Sequence, residues 1–454
     1  MSESKQSAPL YESLPRPNRR LARFGPEVEE RSVKIAVVTP VLGGAVAPRT
    51  VDDVDVIRNA TVRGQLRFWW RALNGHRYQS PEDLYEAESA LWGRAADDTG
   101  GRSTVEIRVV IGDAGGAPDS SDIRLYDSRE GSATPGAYAL WPARGETKSN
   151  LPAAPRRSGT KALVSLTAPA ADIKEIENAV RAWLLFGGYG ARTRRGLGGF
   201  CVLDTPKVWL PEIATRQDYQ RLFGRDIFAL PGKPANDVPW LSGAALHVGP
   251  AQKDAQAAWT LALGWLKEFR QGTGGGPGDR AREPGTGKSQ PQRPSISNWP
   301  EADKIRHLTG KTKSHPPRYN STPAWPRAGF GLPIIGQFQK RARDGSSLDE
   351  PGPFELRWRG PHPETGDRLA SPLIVKAMPL ANGTFVPIAL WLNRAYPANS
   401  GVVLHNIRNS TAPFDRLAAP GDTPRFAALN GKQTLREAFL DWLHAKYKTT
   451  VVAA

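Results

Sequence analysis

The chain has 454 residues and a formal net charge of +16, from 61 Lys+Arg against 45 Asp+Glu. It is longer than the roughly 250 to 300 residues at which single cores stop growing, so two domains are expected, and a surface this basic points to a polyanion, either nucleic acid or an acidic membrane. The single cysteine, Cys201 in the run FCVL, excludes a disulfide framework or a cysteine-built zinc site within the chain and suits a reducing compartment, and no run of about 18 apolar residues offers a transmembrane helix.

Residues 1–30 are polar and proline-bearing, lack the apolar core of a secretory signal, and read as an arm; the cytoplasm is the expected location. RSVKIAVVTPV (31–41) alternates Val33, Ile35 and Val37 as a strand does. A helix is expected to start near Asn59 or Thr61, either of which can cap it. In it Arg63, Arg67 and Arg71 fall at i, i+4 and i+8 and form one stripe, while Leu66, Trp69, Trp70 and Leu73 share the adjoining face and are expected in the core. PEDLYEAESALWG (81–93) reads as a second helix, TVEIRVVIG (104–112) and KALVSLTA (161–168) as strands, and GAYALWP between them as a further strand candidate. IKEIENAVRAWLLFGG (173–188) is a helix stopped by Gly187 and Gly188, and FCVLDT (200–205) is a last strand. Strand, helix, strands, helix, strand is the ferredoxin-like, RRM-like order, an antiparallel sheet with two helices on one face.

The second half offers a helix at 255–270, strands at 329–338, 353–359, 371–378 and 384–392, and an amphipathic helix at 434–447, a second version of the same unit. Its glycine-, proline- and arginine-rich segment at 271–294 reads as a flexible loop. The expected fold is α+β with two ferredoxin-like (RRM-like) domains and insertions: an N-terminal arm (1–30), a first domain (31–208) and a second domain (209–454).

Two basic elements stand out. In GGYGARTRRGLGG (187–199), Gly188, Gly190, Gly196 and Gly198 let another backbone approach, and inward-pointing amides of such a turn can hold an anion. Arg192, Arg194 and Arg195 add charge where phosphate would lie. The plainer reading is a helix-to-strand connection with solvated arginines. The stripe has no acidic partner within its helix, and guanidiniums spaced about 6 Å apart match successive phosphates; alternatively its stems only cover apolar neighbours.

Catalytic signals are weaker. GTGKS (285–289) imitates a phosphate loop, but Arg282 stands where the first glycine belongs and no strand precedes it. Asp52, Asp53 and Asp55 form a carboxylate cluster that can hold Mg²⁺ or simply be a solvated turn. The seven histidines make no HxH or HExxH pair, so no metal site is expected; His76, just after the arginine helix, is conceivable as a general acid–base or as a surface loop residue. KIRHLTGKTKSHPPRYN (304–320) is a second basic contact or a solvated loop.

VTPVLGGA (38–45) followed by IRNATVRGQLRFWWRAL (57–73) resembles the start of the RAMP proteins that form subunit one of the Cmr effector complex in type III-B CRISPR systems. GYGARTRRGLGG is similar to the G-rich loop of that superfamily, and ESALWG (88–93), NWPEADKIR (298–306), GFGLPIIGQF (329–338) and RLASPLIVKAMPL (368–380) resemble further blocks of the subunit. The resemblance implies a double ferredoxin-like protein without catalytic residues, cofactor or metal, capping the ribonucleoprotein near the guide RNA 3′ end and helping to hold the guide–target duplex beside neighbouring RAMP subunits. It places Arg58, Arg63, Arg67 and Arg71 in a basic block, and Gly188 to Gly198 with Arg192, Arg194 and Arg195 in the G-rich loop, as RNA contacts. An endoribonuclease that cuts guide precursor or target RNA, using His76 or the aspartate cluster, is the alternative.

Overall fold

The computed structural model describes residues 27–47, 49–94, 101–125, 132–146, 149–230, 238–271, 299–311, 325–338, 347, 349–360, 362, 366–397, 399–405, 432 and 434–454. The expectations for residues 1–26, the 271–294 loop beyond Gln271, GTGKS and 312–320 lie outside them.

The first unit comprises β1 (Val28–Val37), β2 (Val41–Leu42), α1 (Asn59–Asn74), α2 (Pro81–Trp92), β3 (Glu106–Asp113), α3 (Ala137–Leu140), β4 (Arg156–Arg157), β5 (Lys161–Pro169), α4 (Ile173–Phe186) and β6 (Phe200–Val202). Its antiparallel sheet runs β3-β5-β1-β6, with Val33 opposite Val164 and Ile35 opposite Val202, and α1 and α4 cover one face. That is the ferredoxin-like arrangement. Residues 28–30, expected in the arm, already pair with β5. The strand proposed at GAYALWP is instead the short helix α3 followed by a 3-10 turn at Trp141–Ala143. Helix α1 has no side-chain cap; the Asn59 carbonyl oxygen Oδ1 is taken by the Val109 amide at 2.8 Å, so this side chain ties α1 to β3.

Two linking helices, α5 (Pro206–Trp209) and α6 (Arg216–Phe223), lead into a second unit. It consists of β7 (Trp240–Val248), α7 (Ala255–Gln271), α8 (Pro300–Leu308), β8 (Ile334–Gly336), β9 (Phe354–Arg359), β10 (Leu373–Pro379), β11 (Phe385–Asn393), β12 (Gly401–Leu404), α9 (Leu435–Tyr447) and β13 (Thr450–Ala453). Its main sheet runs β10-β11-β7-β13, so β7-α7-β10-β11-α9-β13 repeats the topology of the first unit. The α8 segment and a small sheet, β12-β9-β8, are inserted and have their own core around Ile305, Trp325, Leu356 and Trp358. The fold is α+β with two ferredoxin-like units and insertions.

The units share a core. Side chains alternate across β10: Ile374 and Met378 point toward α1 and α4, Leu373, Val375 and Ala377 toward α7 and α9. The second sheet is therefore buried on both faces, and the layers run sheet, helices, sheet, helices. Burial on both sides explains why β7, β10 and β11 lack the apolar–polar alternation of a half-exposed strand.

Candidate nucleic-acid interface

In RRM-type recognition, aromatic side chains on the open sheet face stack on bases. The open face of the first sheet carries Ser32 and Lys34 on β1, Arg108 and Val110 on β3, and Leu163 and Ser165 on β5, with no aromatic ring among them. That face offers no aromatic stacking platform.

The α1 stripe is not unpaired. Glu88 of α2, itself buried, accepts from Arg67 Nε at 2.6 Å and from Arg71 Nη1 at 2.5 Å through the same oxygen. Arg63 Nη1 donates to the Val105 carbonyl at 3.2 Å. Arg58 Nε donates to Asp52 Oδ2 at 2.8 Å, and its backbone amide donates to the Tyr189 hydroxyl. The expectation of a stripe without acidic partners is corrected: the partner sits on the next helix, beyond the reach of any helical spacing. Trp69 and Trp70 are buried as expected, and Trp70 Nε1 donates to Glu175 at 3.0 Å.

The glycine-rich loop is a joint between the two units. Gly196 has φ +81° and lies against Trp259 of α7, where a Cβ would come within 2.4 Å of the indole; Gly198 has φ +64° and packs on the Tyr189 carbonyl. Trp259 Nε1 donates to the Arg195 carbonyl at 2.7 Å. The glycines thus serve close packing, where the sequence suggested an anion-binding turn. Arg195 donates to the carbonyls of Leu373 (2.9 Å) and Phe330 (3.0 Å), and Arg194 to that of Ser371, so both reach into the second unit. Burial, reinforced by Arg394 for the first and Arg270 for the second, pulls Arg194 down to about 10 and Arg195 to about 9. Both remain cationic at neutral pH, incompletely hydrated and held by neutral carbonyls.

A residue that sequence reasoning missed completes the joint. Lys376 on β10 is fully buried and donates from Nζ to the carbonyls of Gly187 (2.6 Å) and Leu184 (3.3 Å) at the C-terminus of α4. A cation there complements the helix dipole, while burial alone draws its pKa down to about 7. The sequence signal, a lysine inside the apolar run PLIVKAM, was present.

Between the units opens a cleft of about 710 Å³, walled by Arg192, Arg194 and Arg195 from the loop and by Arg270 at the end of α7. Tyr138, Trp141 and Phe330 supply aromatic surface, and no carboxylate lines it. Arg270 Nη1 donates to the Tyr138 hydroxyl at 3.1 Å and its guanidinium lies 5.4 Å from the Phe330 ring centre. Arg192 is exposed, and among the described residues its guanidinium has no ion-pair partner. None of Arg58, Arg63, Arg67 or Arg71 lines this cleft.

The residues considered for cleavage do not converge. Asp52 accepts from the amide of Asp55, from Arg58 and from the amide of Val54, which lower its pKa, whereas Asp53 pairs with Arg157. His76, expected at the surface, is partly buried with its ring 6.4 Å from that of Trp240, and burial followed by Arg77 lowers its pKa. In the 304–320 segment, Lys304 and Arg306 are buried, Arg306 in a bidentate pair with Glu350 at 2.7 and 2.9 Å, whereas His307, Thr309 and Gly310 are exposed and Lys311 pairs with Asp349 at 2.8 Å. Among the described residues no helix is long and apolar enough to cross a membrane, and no group of three or more His, Cys, Asp or Glu is placed to hold a metal ion.

Residues 34–201 match the family model of the RAMP superfamily. The match runs from within β1 to within β6, the extent of the first ferredoxin-like unit. Comparison with curated proteins gives no match. Among solved structures the chain is similar to Cmr1 from Pyrococcus furiosus in its apo form, at 13% identity and a TM-score of 0.44, covering 94% of this chain and 99% of that one. It is also similar to a chain of the type III-B Cmr-beta complex bound to cognate target RNA, at 12% identity and a TM-score of 0.41, covering 85% and 97%.

Proposed function

We propose that the chain is a non-catalytic, RNA-binding RAMP subunit of a type III-B CRISPR effector ribonucleoprotein, working in the cytoplasm beside other Cmr-type subunits. In this reading it caps the particle near the 3′ end of the guide RNA and helps to hold the guide–target duplex in antiviral defence. The observation that carries the RNA-binding part is the interdomain cleft, four guanidiniums and aromatic surface without a carboxylate. Arginine suits phosphate because its planar fork donates two parallel hydrogen bonds. Contacts of this kind read the backbone and not the sequence, as a protein that accepts any guide requires. The RAMP-superfamily match of the first unit, with the resemblance of blocks in both halves to subunit one of Cmr, supports the assignment to the complex. The non-catalytic reading is supported by the occupied carboxylates of Asp52 and Asp53 and by the position of His76.

Fluorescence anisotropy with a labelled single-stranded RNA, titrated over a range of salt, tests it. Replacing Arg192→Gln and Arg270→Gln together removes two cleft charges without touching the carbonyl contacts of Arg194 and Arg195. The expected result is weaker binding and a log–log salt slope shallower by about 1 to 1.5 units, at roughly 0.7 per lost phosphate contact on a single strand. An unchanged slope would show that phosphates do not run through the cleft.

A further inference from the structure

The chain has 14 tryptophans. Thirteen are buried, and the exception is Trp141, 38% exposed, on the wall of the interdomain cleft. An exposed indole forgoes the burial that stabilises the other thirteen, so its position calls for an explanation beyond packing.

Its surroundings hold it still. Trp141 opens a 3-10 turn, Trp141–Ala143, whose second residue is Pro142. Arg49, from the loop after β2, donates to the carbonyls of Pro142, Ala143 (3.4 Å), Arg144 (3.0 Å) and Pro152 (2.9 Å), and so fastens this turn to the segment leading into β4. Arg144 Nη1 donates to the Trp141 carbonyl at 3.3 Å, and its guanidinium carbon lies 4.1 Å from the indole centre. The guanidinium thus occupies one face of the ring, and the rest of the exposed indole borders the cleft that Arg192 and Arg270 make positive.

We infer that Trp141, backed by Arg144, is a stacking platform for an unpaired base of a single-stranded RNA segment whose phosphates meet Arg192 and Arg270. This rests on the RNA-binding reading above and specifies the state of the ligand. Every base has a π-face, so stacking is tolerant of sequence, and arginine adds a cation–π contribution. Bases within a duplex are already stacked on their neighbours and have no face to offer. A cleft of about 710 Å³ is of small-ligand size, so a nucleotide-sized segment, such as an unpaired end beside a duplex, fits within it. The adjoining Tyr138 hydroxyl, held by Arg270, limits the movement of that guanidinium.

The test uses the full chain and an RNA of about 12 nucleotides, within the site sizes of single-strand binding folds. Three probes are compared: the single strand, the same strand with abasic sites, and a blunt duplex. Trp141→Ala is expected to weaken single-strand binding about 5- to 150-fold, the range for one stacked base, with the salt slope unchanged. Trp141→Phe should recover part of the loss, and abasic RNA should bind the native protein and Trp141→Ala alike. Equal single-strand affinity of the native protein and Trp141→Ala, or equal losses for duplex and single strand, would overturn the inference. Loss of binding in Arg192→Gln/Arg270→Gln alongside a silent Trp141→Ala leaves the RNA-binding reading intact and removes only the stacking. Silence of both sets removes the RNA-binding reading itself.

Discussion

Glu88 shows how one buried carboxylate changes the meaning of a basic surface. Arg67 and Arg71 sit at helical spacing on α1 and look free in the sequence, yet a single oxygen of Glu88 takes both. The pairing locks α2 against α1 and leaves the local charge at one positive unit instead of two. Replacing Glu88→Gln keeps the volume but leaves two partly buried guanidiniums facing a neutral amide. We expect a loss of about 1 to 3 kcal/mol in urea unfolding, with the salt slope of RNA binding unchanged because the cleft is untouched. A steeper slope in this variant would instead mean that the released arginines reach phosphate. The stripe was legible in the sequence because its period is local. Its partner was not, since Glu88 lies 17 and 21 residues away on a different helix. Lys376 was equally hard to place: its carbonyl partners lie 189 and 192 residues upstream.

Elements were easiest to read where one face is buried and the other is wet. Strands β1 and β5 alternate, helix α1 shows an apolar face, and their predicted limits fall within a few residues of those observed. Strand β7 escaped because WLSGAALHV is buried throughout and rich in small residues, so neither alternation nor β-branching announced it. Strand β13 escaped because it is only four residues long. Its attachment to α9 passes through Thr449, which accepts from His444 Nδ1 on its carbonyl at 2.8 Å and meets His247 Nδ1 of β7 with its hydroxyl at 3.0 Å. Burial, followed by His444 and opposed by Asp441, draws His247 down to about 4. In the unfolded chain this imidazole takes its proton near pH 6.5, so as pH falls the unfolded state binds the proton first. The stabilising contribution is complete above about 6.5 and is lost between there and about 4, amounting to roughly 3 kcal/mol. Urea midpoints measured across that window should fall steeply for the native protein and much less for His247→Gln. Parallel curves would assign the acid sensitivity to other groups.

The molecule is assembled as alternating layers, and this decides how it unfolds. Helices α1 and α4 serve both sheets: Leu66, Trp69, Val180 and Leu184 belong to the same core as Leu246, Ile374, Met378 and Leu390. The G-rich loop then clamps the joint, with Arg194 and Arg195 on second-unit carbonyls and Trp259 on the Arg195 carbonyl. Sequence periodicity suggested two units but could not show that they share a core, because that depends on which face of α4 meets which sheet, and nearly all of α4 is buried. The consequence is that neither ferredoxin-like unit has a complete surface of its own. A fragment ending at residue 230 would expose the apolar sides of α1 and α4 that the second sheet covers, an area well beyond the small patches that soluble monomers tolerate. We expect that fragment to aggregate or to lack protected amides in hydrogen exchange. In the full chain, tryptophan fluorescence and far-ultraviolet circular dichroism should trace one coincident urea transition for the two units. Two separated transitions, or a well-folded fragment, would mean that the shared layer contributes little. The cleft then would be a flexible seam, and its arginines would lack the fixed spacing that phosphate recognition needs.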